Sequence, residues 1–233
     1  MVFLSLHLAS TILSLVFSFI CTIRTWQHYK ETKIELVKYL AFGFFYITIS
    51  LLTLIPPSLF GDSRLLPPFL SLAMFFLFLG VSFFLQIVLN NFPRLETRRK
   101  YISQAFIVLS VLLAVLTYIL KPFLIFEDYG FFVIYDFSPL LKFYIVILVV
   151  ILNVFFSSII FVRSGFSTAV FRTKIRTVFF GFAFIFVGAG VLLVVIGEKL
   201  FYNFFITVGF LLFYLSVSLR EKIDMKKVFY MKL

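Results

Sequence analysis

The sequence predicts an all-α membrane protein: a seven-transmembrane helix bundle, N-terminus outside and C-terminus cytoplasmic, with an extracytoplasmic β-hairpin between helices 4 and 5. Three observations carry this expectation. Hydrophobic residues fill 63% of the 233 positions, only 13% are charged, and the mean hydropathy is +1.14. A water-soluble domain of this length has too much surface to hide so much apolar side chain, whereas lipid solvates it directly. Seven apolar runs reach the roughly 20 residues that a bilayer crossing needs. Finally, the basic residues fall on alternate links.

The runs lie near 3–23, 38–58, 66–90, 101–120, 139–162, 177–197 and 200–219, which gives a transmembrane domain over 1–219 and a basic tail over 220–233. The first run is expected to stay in the mature chain. It has no basic n-region, and its first positive charge, Arg24, follows the apolar stretch. The single cysteine, Cys21, excludes an internal disulfide.

Orientation follows from the links. Those after runs 1, 3 and 5, together with the tail, hold 17 of the 21 basic residues. They are Arg24, Lys30, Lys33 and Lys38; Arg94, Arg98, Arg99 and Lys100; Arg163, Arg172, Lys174 and Arg176; and Arg220, Lys222, Lys226, Lys227 and Lys232. The opposite side has Arg64, Lys121, Lys142 and Lys199. The positive-inside rule places the richer side in the cytoplasm. Acids divide equally, so the net charge of +11 reads as a topology signal and not as a nucleic-acid footprint. Anionic inner-leaflet lipids are the expected partners of this face.

The middle third of each run carries no Asp, Glu, Lys or Arg. Proton relays and voltage sensors place charges there, so neither is expected. Run 7 has no lysine for a retinal Schiff base. Uncharged polar residues remain. His7, Thr11, Ser14 and Ser18 share one face of run 1, Tyr46, Ser50 and Thr53 one face of run 2, and Asn153 lies mid-run 5. They read as helix–helix glue or as a polar cavity opening outward near His7. In run 6, Gly181 and Gly188, then Gly190 and Gly197, recur every seven residues, the spacing of a close-packing face or a hinge.

Between runs 4 and 5, "KPFLIFEDYGFFVIYDFSPLLK" alternates at strand period with Tyr129-Gly130 at the turn. Its acids Glu127, Asp128 and Asp136, beside Tyr135, read either as a lid for a cationic or aromatic ligand or as a solvated rim. Ligand contact is therefore assigned to His7, Thr11, Tyr46, Glu127, Asp128, Tyr135, Asp136 and Asn153. Contact with lipid or a protein partner is assigned to Arg98, Arg99, Lys100, Arg172, Lys174 and Arg176. No metal-ligand spacing, Walker loop, HExxH or GxSxG motif occurs. Neither an enzyme nor a cofactor is expected.

The stretch 129–191 contains a strand-like outer loop, "DFSPLLKFYIVILVV" and "FVRSGFSTAVFRTKIRTVFFGFAFIFVGAG". It resembles the second half of the seven-helix sensor regions found ahead of bacterial histidine kinases, over about a quarter of the chain. Those regions are N-out sensors whose last helix feeds a cytoplasmic domain. Here 13 residues follow Arg220, so the resemblance implies a stand-alone module acting through a separate cytoplasmic or membrane partner. The expected function is thus a non-enzymatic sensor or receptor-like module. A small-solute carrier of 3+1+3 helix architecture and a structural subunit of a membrane complex are the alternatives.

Overall fold

The computed structural model describes residues 6–60, 64–89, 99–127, 132–147, 161–162, 166, 171–198 and 201–219. The helices are α1 (Leu6–Thr32), α2 (Glu35–Thr53), α3 (Ile55–Phe60), α4 (Leu66–Leu89) and α5 (Arg99–Leu120), followed by α6 (Pro139–Ile145), α7 (Phe171–Ile196) and α8 (Phe201–Ser218). Strands β1 (Phe123–Glu127) and β2 (Phe132–Asp136) lie between α5 and α6. Among the described residues, five helical stretches are long and apolar enough to cross a membrane: α1, Glu35–Phe60, Leu66–Ile87, Lys174–Ile196 and α8. Within α5 the apolar stretch is shorter, Ile107–Leu120.

Local chemistry sets the ends. Pro67 and Pro68 sit in the first turn of α4, where their missing N–H groups cost no helical bond. α2 stops at Thr53 and α3 restarts at Ile55, a break set by Pro56-Pro57. At the end of α7, Gly197 takes φ 80°, Glu198 N–H donates to Leu193 O and Gly197 N–H to Val194 O. This is a left-handed cap that strains any residue with a Cβ. Gly197 therefore terminates the helix, and the packing face expected of it stops at Gly190.

Each helix packs against its neighbours in the order α5, α4, α2, α1, α8, α7. A serine hydroxyl ties every seam. Ser71 Oγ donates to Ala114 O (2.6 Å, α4–α5), and Ser50 Oγ to Ala73 O (2.7 Å, α2–α4). Ser18 Oγ donates to Phe44 O and lies 2.9 Å from Thr48 Oγ1 (α1–α2). Ser10 Oγ donates to Asn203 O and lies 2.8 Å from Thr207 Oγ1 (α1–α8). Ser216 Oγ donates to Arg176 O (2.9 Å, α7–α8). Lipid offers no hydrophobic drive for helix association, so small residues and hydroxyl bonds are what hold such seams.

Glycines bring two seams closer still. A Cβ on Gly190 would lie 3.1 Å from Ile206 N, and one on Gly80 would lie 2.9 Å from Gly43 O. Gly181 and Gly188 are buried on the same helix as Gly190.

Two clusters fill the interior. Phe44, Phe84, Phe180, Phe184, Phe210 and Phe213 form an aromatic cluster with Cys21 and Ala183. Most of its rings meet edge to face; Phe44–Phe213 is 5.4 Å at 82° and Phe184–Phe213 is 5.0 Å at 87°. The second cluster is largely aliphatic, built around Leu66, Leu70, Leu113, Leu141 and Val195. It lies beside β1 and β2, which touch α4, α1 and α7. Outward, α5 and α8 expose Val108, Ile119, Phe201 and Phe204 at 56–64%. Trp26, Tyr101 and Tyr118 sit exposed near helix ends, the level that aromatic belts occupy.

β1 and β2 pair antiparallel, Phe123 opposite Asp136 and Glu127 opposite Phe132. The expected turn at Tyr129-Gly130 lies outside the described residues, as do 148–160 and the tail.

Candidate ligand cavity at the strand-paired end

The aliphatic cluster does not close. Between it and the aromatic cluster lies a cavity of about 140 Å³. α1 supplies His7 to its wall, α2 Leu51, α4 Met74, α6 Ile145, α7 Val191 and α8 Ile206. Phe137, the residue after β2, closes the strand side and is 4% exposed. All of these positions belong to one end of the bundle, where α1 and α8 begin and α7 ends.

Branched aliphatic side chains make this void. Val187, Val191 and Val194 present short side chains from α7, and Ala73 presents a single methyl from α4. An apolar cavity of about 150 Å³ stays dry and accepts a benzene-sized guest. This one suits a segment of an acyl or isoprenoid chain, or a small ring.

Polar groups occupy one corner. The His7 and Tyr202 rings stand 5.9 Å apart, beside Asn203, whose Oδ1 is buried without a partner among the described residues. All three are buried. Ser50 also borders the cavity, but its hydroxyl proton goes to Ala73 O. The lining thus offers a guest one apolar chamber and one hydrogen-bonding corner.

The sequence-assigned ligand residues divide. His7 is at the cavity. Thr11, one turn on, donates its hydroxyl back to His7 O at 2.8 Å within α1 and lies outside the cavity lining. Tyr46 stacks on Phe83 (5.5 Å, 9°) and Phe76 (6.3 Å, 11°) between α2 and α4, away from the cavity lining. Glu127, Tyr135 and Asp136 belong to β1 and β2, their side chains outside the described set, and Asp128 and Asn153 lie outside it entirely. Among the described residues no group of three His, Cys, Asp or Glu is placed to hold a metal.

The polar stripe of α1 serves mainly in packing. Ser10, Thr11, Ser18, Thr22 and Thr25 all use their hydroxyls on backbone carbonyls or on facing hydroxyls. Ser10 and Ser18 tie α1 to α8 and α2, Thr11 and Thr25 bond back within α1, Ser14 Oγ is buried without a partner among the described residues, and the cavity beside His7 is lined mainly by apolar residues. Sequence reasoning missed Phe137, Met74, Val191 and Tyr202. Only the last carries a usable sign, a phenol one residue into an apolar run.

Of the basic residues, Arg98 lies outside the described set, and so do the side chains of Arg99, Lys100 and Arg172. Lys174 Nζ stands 5.3 Å from the Phe166 ring centroid. Arg176 Nε donates to Ser216 O at 3.1 Å.

The long apolar helices and the apolar exterior mark an integral, multi-pass membrane protein. No known family model matches the chain, and no curated protein is significantly similar to it.

Proposed function

We propose that this chain is a non-enzymatic sensor module of the membrane, which captures a lipophilic molecule in the cavity behind the strand pair and passes the event to a separate protein partner. The observation that carries the reading is the cavity itself: apolar, walled by six helices, with a single polar corner at His7 and Tyr202. A hydrophobic molecule with one hydrogen-bonding head fits that chemistry. The reading gives the chain seven spans, N-out and C-in, with the strand pair and cavity towards the outside and the basic links towards the cytosol.

Chain direction supports seven crossings. Ser10 meets Asn203 and Thr207 while Arg24 meets Tyr214, so α1 and α8 run parallel. Gly190 meets Ile206 while Arg176 meets Ser216, so α7 and α8 run antiparallel. α5 ends beside β1, and α7 begins at the opposite end. α6 lies at the strand-paired end, whereas Phe161 packs 4.8 Å from Phe180 of α7, and the reading joins the two by the fifth crossing. The resemblance to histidine-kinase sensor regions agrees with this arrangement.

The relay rests on α7 and α8. Gly190 and Gly209 bring their backbones close, and Arg176 and Ser216 exchange hydrogen bonds at the far end. The two helices move as one body. A guest wedged against Val191 and Ile206 favours whichever position of that body leaves room for it. The carrier alternative is less favoured, since Ser10 and Ser18 are committed to α8 and α2 and Thr11 and Thr25 to their own helix.

The test is mass analysis of organic extracts from the purified protein. A lipophilic compound retained near one per chain is expected from the native protein and lost from Val191→Phe, which fills the chamber. Identical extracts from both, or nothing specific in either, would refute ligand capture.

A further inference from the structure

At the opposite end of the bundle two clefts share a wall formed by Leu40, Arg176 and Val217. One, about 230 Å³, is polar and bordered by Arg24, Gln27, His28 and Ser218. The other, about 250 Å³, is mainly apolar, bordered by Leu36, Val37, Ile87, Phe161 and Phe180. Among the described residues, neither lining contains an Asp or Glu.

We propose that these joined clefts bind one anionic phospholipid, its phosphate between Arg24 and Arg176 and an acyl chain in the slot along Val37, Ile87 and Phe180. Both guanidinium groups are held in place. Arg24 lies over the Tyr214 ring, 5.3 Å from its centroid, and Arg176 is fixed by its Nε bond to Ser216 O. Pre-set guanidinium planes are suited to phosphate oxygens. Ser218 supplies an independent sign. Its Oγ borders the polar cleft, is buried, and has no hydrogen-bond partner among the described residues. A buried hydroxyl without a partner is costly, and a phosphate oxygen would satisfy it.

The apolar slot decides the source of the phosphate. A free anion or an acidic peptide has no use for a channel walled by Val37, Ile87, Phe161 and Phe180, whereas a lipid tail leaves its head at the level of Arg24. The end of the bundle agrees, because it is where the basic residues of α1 and α7 gather. Arg24 comes from α1, Arg176 from α7 and Ser218 from α8. A bound lipid would therefore clasp the same α7–α8 body that the distal cavity addresses.

Native mass spectrometry of the full chain tests this, with phosphatidylglycerol, phosphatidylcholine or inorganic phosphate added to the micelles. One phosphatidylglycerol should be retained at least five- to tenfold more tightly than phosphatidylcholine, the gain expected from one or two basic groups. Arg24→Gln should erase that preference and Arg24→Lys restore most of it. Val37→Trp, which keeps every charge and blocks the slot, should weaken both lipids. Inorganic phosphate that displaces phosphatidylglycerol at millimolar concentration would overturn the proposal in favour of a soluble-anion site. An unchanged lipid preference in Arg24→Gln, or unchanged affinity in Val37→Trp, would overturn it too.

Discussion

The two halves of the bundle interior are built from different side chains, and the difference explains where a ligand fits. The aromatic half holds six phenylalanines packed edge to face around Ala183. The half beneath the strand pair has Leu, Ile and Val facing one another, and among the described residues Phe78 and Phe137 are the buried rings of that cluster. Flat rings in mutual T-shaped contact leave little void. Branched aliphatic groups of unequal length on six helices leave a chamber. The same bundle thus has a hollow half, with its cavity among the helices, and a solid half whose rings meet at the centre and open only at the rim, where Phe180 borders the apolar slot described above.

The sharpest way to break this comparison is to hollow out the solid half. Phe44 is fully buried and touches Phe84, Phe180 and Phe213. Phe44→Ala should cost about 3–5 kcal/mol, the range for deleting a core ring, and thermal unfolding in detergent should show a large fall in Tm. Next in size is a Cβ-bearing residue at the helix crossing. Gly190→Val would press on Ile206 and on Tyr202 O, at about 2 kcal/mol, with α7 and α8 forced apart. A spin-label distance between those helices should lengthen.

The hollow half should respond in the opposite sense. Val191→Phe adds a ring where space exists, so its stability should stay within about 1 kcal/mol of the native value while ligand retention disappears. Ala183→Phe, the same kind of enlargement in the solid half, should be destabilising in the same unfolding assay. The smallest effect belongs to the seams. Ser18→Ala removes the bonds to Phe44 O and Thr48, and should cost about 0.6 kcal/mol, the average for an interhelical hydrogen bond in a membrane.

Much of the architecture was legible because apolar runs report helices directly. The expected run 66–90 corresponds to Leu66–Leu89, run 101–120 to Arg99–Leu120 and run 200–219 to Phe201–Ser218. Polarity, however, marks where lipid stops and not where a helix stops. α1 continues nine residues past its apolar run, to Thr32, since no Gly or Pro interrupts it. The break at Leu54 was written in Pro56-Pro57 and still hidden inside one apolar run. Pairing of β1 with β2 followed from alternation, which survives the absence of any described turn.

The candidate site was far less legible. His7 stood out because a lone imidazole is conspicuous in an apolar run. Val191 and Met74 resemble every other lipid-soluble residue in the chain, and what sets them apart is the missing neighbour across the gap. Tyr46 carried the expected chemistry but faces Phe83, a partner only the α2–α4 seam supplies. Arg24 and Arg176, 152 positions apart, border one cleft only because α8 packs between α1 and α7. With 37 phenylalanines spread along the chain, nothing local distinguished the six that build the solid half.

Photo-crosslinking with a diazirine-bearing fatty alcohol tests the central claim most directly, followed by peptide mass mapping. A hollow, ligand-accepting half predicts labels on interior residues Met74, Phe137 and Val191, lost in Val191→Phe. Labels confined to the exterior residues Val108, Ile119 and Phe201, unchanged by that substitution, would contradict it.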